Sequence, residues 1–420
     1  MSFSEWKEVS LKEAIEFNPR ETLKKGTIAK KIGMDKLGTF QRRIEGFELS
    51  SFSGGTKFRN GDTLLARITP CLENGKTAQV TLLDDDEIAF GSTEYIVLRE
   101  KSGKSINDFI FYLAISPYLR DIAIKSMTGT SGRQRAQKDV IENTKIKLPP
   151  LHEQKAIAHI LSTLDDKIEV NNQINKTIEN MAQAIFKQWF VDFEFPNKDG
   201  EPYKSSGGEM VESELGMIPK GWEVRRIGDE CFCSLGGTPS RQKSDYWNGD
   251  IPWVNSGEVN NFRIYKPSEY ITKLGLEKSA TKLLKKKTTV LAITGATLGQ
   301  VSLLEIDTCT NQSVVGISEN DKISHVYIYP YVKSVIKKII GNQTGGAQQH
   351  INKGNVEDTK LLIPNKKVLN AYTKLVRPQY DLISSICFEN ELLTRLRDSL
   401  IPKLMSGEIR VPLDEDGDAS

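Results

Sequence analysis

LPPLHEQKAIAHILSTLDDKIEVNNQINKTIENMAQAIFKQWF, residues 148–190, decides how the rest of the chain is read. Ile157, Leu161, Leu164, Ile168, Ile178, Ala182, Ile185 and Trp189 stand alternately four and three places apart once Asn171 and Asn175 fill the two vacant places. That spacing is a heptad seam on one long helix. The helix starts after Pro149-Pro150, where the first-turn N–H groups have no intrahelical partner to lose. At 1.5 Å per residue it is roughly 58 Å long, more than one core uses for a single element, so it needs an equally long partner.

The partner lies in the same chain. IENTKIKLPP (141–150) and VEDTKLLIP (356–364) match around Thr144 and Thr359, a shift of 215 places. Carried along the seam, this shift predicts a second one at Tyr372, Val376, Gln379, Ile383, Ile386, Asn390, Leu393, Arg397, Leu400 and Leu404. All but Gln379 and Arg397 keep the position apolar or asparagine. Asn175 falls on Asn390, and a polar pair inside a seam fixes register at a cost in stability. Pro378 and Pro402 each remove a backbone donor, which predicts kinks or a break in the second helix.

The repeat extends beyond the helices. Trp6-Lys7-Glu8-Val9 is matched by Gly221-Trp222-Glu223-Val224, and the strand ending Leu65-Ala66-Arg67 by Thr289–Ile293. The Gly-rich loop Met127–Lys138 is matched by Thr344–Gln349, with Gln349 on Gln134. Elsewhere the two copies differ, as two frames carrying different contents would. In the first copy the turn Asn60-Gly61 leads into a strand over 62–68, another strand follows over 95–98, and a short helix over 106–119 is limited by Pro117. The chain therefore divides into a globular unit (1–147), the first long helix (148–195), a polar linker with Gly207-Gly208 (196–221), a second globular unit (222–364), the second long helix (365–409) and an acidic tail (410–420).

Composition bounds the function. The 420 residues, 38% hydrophobic and 27% charged, need more than one core. A net charge of +2 excludes a uniformly basic surface, although Asp414, Glu415, Asp416 and Asp418 in the tail offset basic residues elsewhere. MSFSEWKEVS lacks the apolar core of a signal peptide, and no stretch approaches the roughly 20 apolar residues of a membrane helix, so a cytoplasmic location is expected. Cys71, Cys231, Cys233, Cys309 and Cys387 form no tetrahedral zinc set and read as reduced thiols. His152 and His159 are seven places apart, not the four of a zinc-protease helix. Neither Gly236–Ser240 nor Thr294–Gly299 is followed by the Lys-Ser/Thr of a phosphate loop. No Asn-Pro-Pro-aromatic run, carboxylate–lysine nuclease cluster or nucleophile beside His325 or His350 stands out.

Binding is the class that remains. The candidate nucleic-acid contacts are Arg42, Arg43, Lys57, Arg59, Arg67, Arg133 and Arg135 in the first unit, and Arg241, Lys243, Gln348 and Gln349 in the second. Arginine and lysine neutralise phosphates, arginine also reads guanine, and glutamine reads adenine in the major groove.

With these residues laid out, the chain resembles the DNA-specificity (S) subunits of type I restriction-modification enzymes. LPPLHEQKAIAHILSTLDDKIE and AIFKQWFVDF resemble the family's central conserved region, and LRDSLIPKLMSGEI (396–409) its C-terminal one. ELGMIPKGWEV (214–224), GGTPS (236–240), Tyr246-Trp247 and IPWV (251–254) resemble the opening of a target recognition domain. The resemblance implies an α+β fold: two mixed α/β recognition domains separated by two long antiparallel coiled-coil helices, in a pseudo-two-fold repeat. It implies that each domain reads half of a split site on double-stranded DNA, and that the helices dock two modification (methyltransferase) subunits that methylate adenine. Restriction subunits with ATPase and nuclease activity would complete the complex. S-adenosylmethionine, ATP and Mg would then belong to those partners, and this chain would be non-catalytic and bind no cofactor or metal. A rigid helix pair suits half-sites about one DNA turn apart, roughly 34–36 Å, so inserting one heptad should alter the gap between them. Two other readings stay open. One is the specificity subunit of an enzyme with a fused methyltransferase and nuclease; the other is a coiled-coil scaffold that does not bind DNA.

Overall fold

A computed structural model describes residues 5–341 and 350–411. The expected contacts Gln348 and Gln349 and the acidic tail beyond Val411 lie outside the described residues. The chain forms two compact units, one of residues up to Val170 joined by those from Glu391 onward, the other of Asn171 to Asn390. Each unit holds one globular domain and a part of each long helix.

In the first unit, Thr63–Ala66 is buried along its whole length and pairs antiparallel with Tyr95–Glu100 and Thr77–Gln79. Four consecutive buried residues are what a strand covered on both faces requires. Ile15–Phe17 completes this sheet beyond Tyr95–Glu100. A second sheet places Ile28–Ile32 between Glu48–Ser51 and Ala89–Gly91, with Thr56–Phe58 beyond the latter. Ile28–Ile32 and Ala89–Gly91 run parallel, and Gly91 permits the close approach, since a Cβ there would lie 2.3 Å from the Ile32 carbonyl oxygen. Lys7–Ser10 and Lys145–Leu148 pair separately and tie the domain's two chain ends together.

The expected single helix over 106–119 is two helices, Asn107–Ile115 and Pro117–Lys125. Pro117 does not limit the first; it opens the second at a first-turn position, with Ser116 as N-cap accepting from the Leu119 N–H.

The second unit repeats this arrangement strand for strand. Phe232–Leu235, Val314–Ser318, Thr289–Ala292 and Val301–Leu303 form the first sheet in that order; Glu269–Ile271, Trp247–Val254, Thr308–Thr310 and Leu283–Leu284 form the second. Its one parallel pair, Trp247–Val254 with Thr308–Thr310, sits where the first domain has its own. Glu223–Arg226 and Lys360–Ile363 form the closing two-stranded pair. The Leu11 N–H donates to the Thr144 carbonyl in one copy, and the Ile227 N–H to the Thr359 carbonyl in the other, both at 2.9 Å. Residues 196–221, expected as a linker, carry the antiparallel hairpin Met210–Ser213 and Gly216–Pro219. Before it, Phe195 stacks between Tyr203 and Trp222, so aromatic burial orders a segment whose composition is polar.

The long helices run Leu151–Phe190 and Lys366–Ser406. The expected break at Pro378 or Pro402 is absent. Both prolines and the residues four places earlier, Lys374 and Asp398, are exposed, so water can take the freed carbonyls. In each unit the two helices run in opposite directions: Ile157 and Leu161 share a core with Ile401 and Leu404 in the first, and Phe190 meets Tyr372 in the second. Of the expected seam residues, Leu161, Asn175, Ile383, Ile386 and Asn390 are buried, while Leu164, Ile168, Ile178, Ile185, Leu393 and Leu400 are partly buried. Asn175 does not pair with Asn390. Asn390 hydrogen-bonds Asn171 and Asn172, and Asn175 faces Cys387, because antiparallel packing brings repeat-related residues together only where they sit on the two-fold axis.

Candidate nucleic-acid interface

The first domain gathers the predicted cations into three groups. Arg67, Arg133 and Arg135 come together where the loop over 127–138 is laced to the strand end at 67–69. The Thr69 N–H donates to the Gln134 carbonyl at 3.0 Å and the Ala136 N–H to that of Arg67 at 2.8 Å. Arg135 makes a forked pair with Glu94, whose carboxyl these hydrogen bonds hold below its ordinary range. Arg67 reaches the Ala136 carbonyl, and Arg133 is exposed with no side-chain partner among the described residues.

Arg42 and Arg43 form a second group against the first long helix. Arg42 binds Gln79 and Asp108, both at 2.8 Å, and Arg43 lies 3.3 Å from Asp166. Arg59 and Lys57 form the third. Arg59 pairs with Glu21 at 2.7 Å, which also receives Arg99, and the Lys57 ammonium lies over the Phe52 ring. Arg42 is thus built into the fold, and the exposed, less committed cations are Arg133 and Arg43.

In the second domain, the Arg241 guanidinium lies 3.7 Å from the centre of the Trp247 ring and forks onto Glu269, lowering that carboxyl's pKa. Lys243 lies over Tyr246 and hydrogen-bonds its hydroxyl. Trp247 itself is held by its indole N–H on the Ser240 carbonyl at 3.1 Å. The result is an exposed platform of aromatic faces and cations of the kind that stacks on or hydrogen-bonds bases. The Ile351 N–H donates to the Ile293 carbonyl, matching Ala136 on Arg67, so the segment carrying Gln348 and Gln349 is anchored as the loop over 127–138 is.

The model of the type I restriction modification DNA specificity domain matches residues 3–180 and 219–373, one match to each copy of the repeat. The chain belongs to this family. It is 26% identical over 408 residues to the specificity subunit of the type I restriction enzyme HindI from Haemophilus influenzae, covering 84% of this chain and 87% of that one. It is 28% identical over 313 residues to the MjaIX specificity subunit of Methanocaldococcus jannaschii, covering 73% and 70%. The crystal structure of a type I restriction-modification S subunit from M. genitalium covers 95% of this chain and 96% of its own at 14% identity with a TM-score of 0.54, a likeness of fold.

For a member of the specificity-domain family, the residues that seat each domain on the helices matter as much as the contacts, and sequence reasoning missed them. Asp165 accepts from the Tyr112 hydroxyl at 2.7 Å and from Arg397 at 2.6 Å. Glu179 accepts from the fully buried Arg263 at 2.7 Å, with Lys333 at 3.4 Å. Burial pushes the Glu179 carboxyl up, and the charges of Arg263 and Lys333 outweigh it, leaving it lowered. Both carboxylates flank the heptad seam, where charge ordinarily faces water. Among the described residues there is no group of three or more His, Cys, Asp or Glu arranged to hold a metal, and no helix is long and apolar enough to cross a membrane. All five cysteines are free thiols.

Proposed function

We propose that this chain is the DNA-recognition subunit of a type I restriction-modification complex in the cytoplasm. Residues 1–147 and 222–364 are its two target recognition domains, each reading one half of a split site on double-stranded DNA. The observation that carries this reading is the strand-for-strand repeat, one family match per copy, with unlike side chains at the exposed loops. In the first domain Arg133 and the Arg67–Arg135 group approach the DNA, and in the second the Arg241–Trp247–Lys243 platform does. Charge neutralisation at the phosphates supplies affinity; the arginines and glutamines at the loop tips supply base discrimination. The long helices dock two modification subunits, and restriction subunits join that assembly. The chain is non-catalytic: S-adenosylmethionine, ATP and Mg are bound by the partners, which carry out adenine methylation and cleavage.

The test is methylation mapping across the genome of cells expressing this chain with its modification partner, compared with the modification subunit alone. A split adenine-methylated motif found only with both is the expected result. Co-purification of the pair without any motif would leave a scaffold that does not bind DNA as the better account.

A further inference from the structure

The shift of 215 that relates the two helices makes their domain-facing residues directly comparable. Each domain rests on a seat formed by both helices within its own unit. Asp165 in the first seat corresponds to Tyr380 in the second, Thr394 to Glu179, and Arg397 to Ala182. All but Thr394 are buried, and in each seat the charged members meet a group that only that seat's own domain supplies.

In the first seat Tyr112 donates to Asp165, whose other oxygen binds Arg397 at 2.6 Å. The helix segments INDFIFY (106–112) and ISHVYIY (323–329) put Tyr329 at the place of Tyr112. Tyr329 meets no carboxylate at the position of Asp165. Its ring lies edge-on to Tyr380, and its hydroxyl accepts from Arg263 at 3.0 Å. Arg263 then reaches across to Glu179, and Ala182 leaves the space that Arg397 fills in the other seat.

We propose that each recognition domain is keyed to one seat by these buried charges, so that the order in which the two half-sites are read is fixed by the helices. The second domain placed on the first seat would bring Arg263 beside Arg397 and give it threonine in place of Glu179. The first domain placed on the second seat would leave Glu179 without a cation and turn the Tyr112 hydroxyl toward a tyrosine ring. A buried charge deprived of its partner is among the most destabilising single changes a core can suffer. Asp165, Glu179, Tyr380 and Arg397 are positioning residues that act on DNA only through the domains they hold.

The experiment uses four full-length chains: the natural one; one with residues 5–147 and 222–364 exchanged; one with the natural domain order but exchanged seats (D165Y, E179T, A182R, Y380D, T394E, R397A); and one with both exchanges. Thermal unfolding of each purified chain is the first readout. The methylated motif produced with the modification partner is the second, and only this one rests on the DNA-recognition reading. Either exchange alone should lower Tm by roughly 10 °C and reduce methylation at least tenfold, and both together should restore both, with the half-sites in reversed order. The proposal is overturned if the domain-exchanged chain melts and methylates like the natural one, or if exchanging the seats as well fails to rescue it. If the natural chain directs no motif, the DNA-recognition reading fails, while the Tm pattern still decides whether the seats are keyed.

Discussion

Thr63–Ala66 and Thr289–Ala292 occupy the same place in two sheets of the same strand order, and all eight residues are buried. A short distance away the two domains meet their helices with nothing in common: a Tyr–Asp–Arg chain through Asp165 in one, and an Arg–Glu pair through Glu179 roofed by Tyr380 in the other. The difference teaches which part of a repeat is free to diverge. A strand covered on both faces accepts only apolar or small residues of about the same volume, so both copies keep nearly the same ones. A buried polar contact has many satisfied solutions, provided every charge finds its partner, and the copies have settled on different ones.

The comparison breaks first at Glu179. E179A leaves Arg263 and Lys333 without their carboxylate and should cost about 3–5 kcal/mol. Trp189, Trp222, Trp247 and Trp253 all lie in the second unit, so the loss should appear as an earlier tryptophan-fluorescence transition in urea. An unchanged midpoint would mean that Arg263 is satisfied some other way. Y112F removes one hydrogen bond to a charged group from the first unit, about 1.5–3 kcal/mol. Hydrogen exchange should quicken at the amides of 109–115 and stay as it was at 326–332; equal changes in both would show that the seats are not independent.

Acid sharpens the comparison within the second unit. Burial pushes the Glu319 carboxyl up, but hydrogen bonds from His325 and Ser324 prevail and hold it at about 2, below the ordinary 4.5. Its contribution to stability is therefore complete above pH 4.5 and is lost as the pH falls through about 2. E319Q should flatten that limb of the stability curve and leave the region above pH 5 unchanged in slope; a wild-type limb in the variant would assign the acid sensitivity elsewhere. The smallest effect is expected at Arg133. R133A should lower the slope of log Kd against log salt by about 0.9 for any DNA sequence, whereas R241A should also change which bases are preferred. Loss of base preference in R133A would reverse the roles assigned to the two arginines.

Much of this architecture was legible before any coordinates, because it rests on local pattern. Heptad spacing from Ile157 to Trp189 announces a long helix, and Thr144-Lys145 with Thr359-Lys360 announces the repeat. Failures came where a residue's meaning depends on a distant partner. Pro378 and Pro402 read as breaks until their turns are seen to face water, and the polar stretch after Pro196 reads as a linker until Phe195, Tyr203 and Trp222 stack. The candidate contacts were legible as cations but not as pairs: nothing near Arg135 in sequence points to Glu94, or near Arg241 to Glu269.

By itself the sequence determined two α+β domains on a repeated frame, two long helices with their apolar faces, and membership of a DNA-specificity family, since periodicity and repetition survive in a linear string. Tertiary structure alone decided which carboxylate answers which cation. A glutamate on a helix flank such as Glu179 is a solvated charge unless packing brings Arg263 against it and excludes the water that would otherwise solvate both.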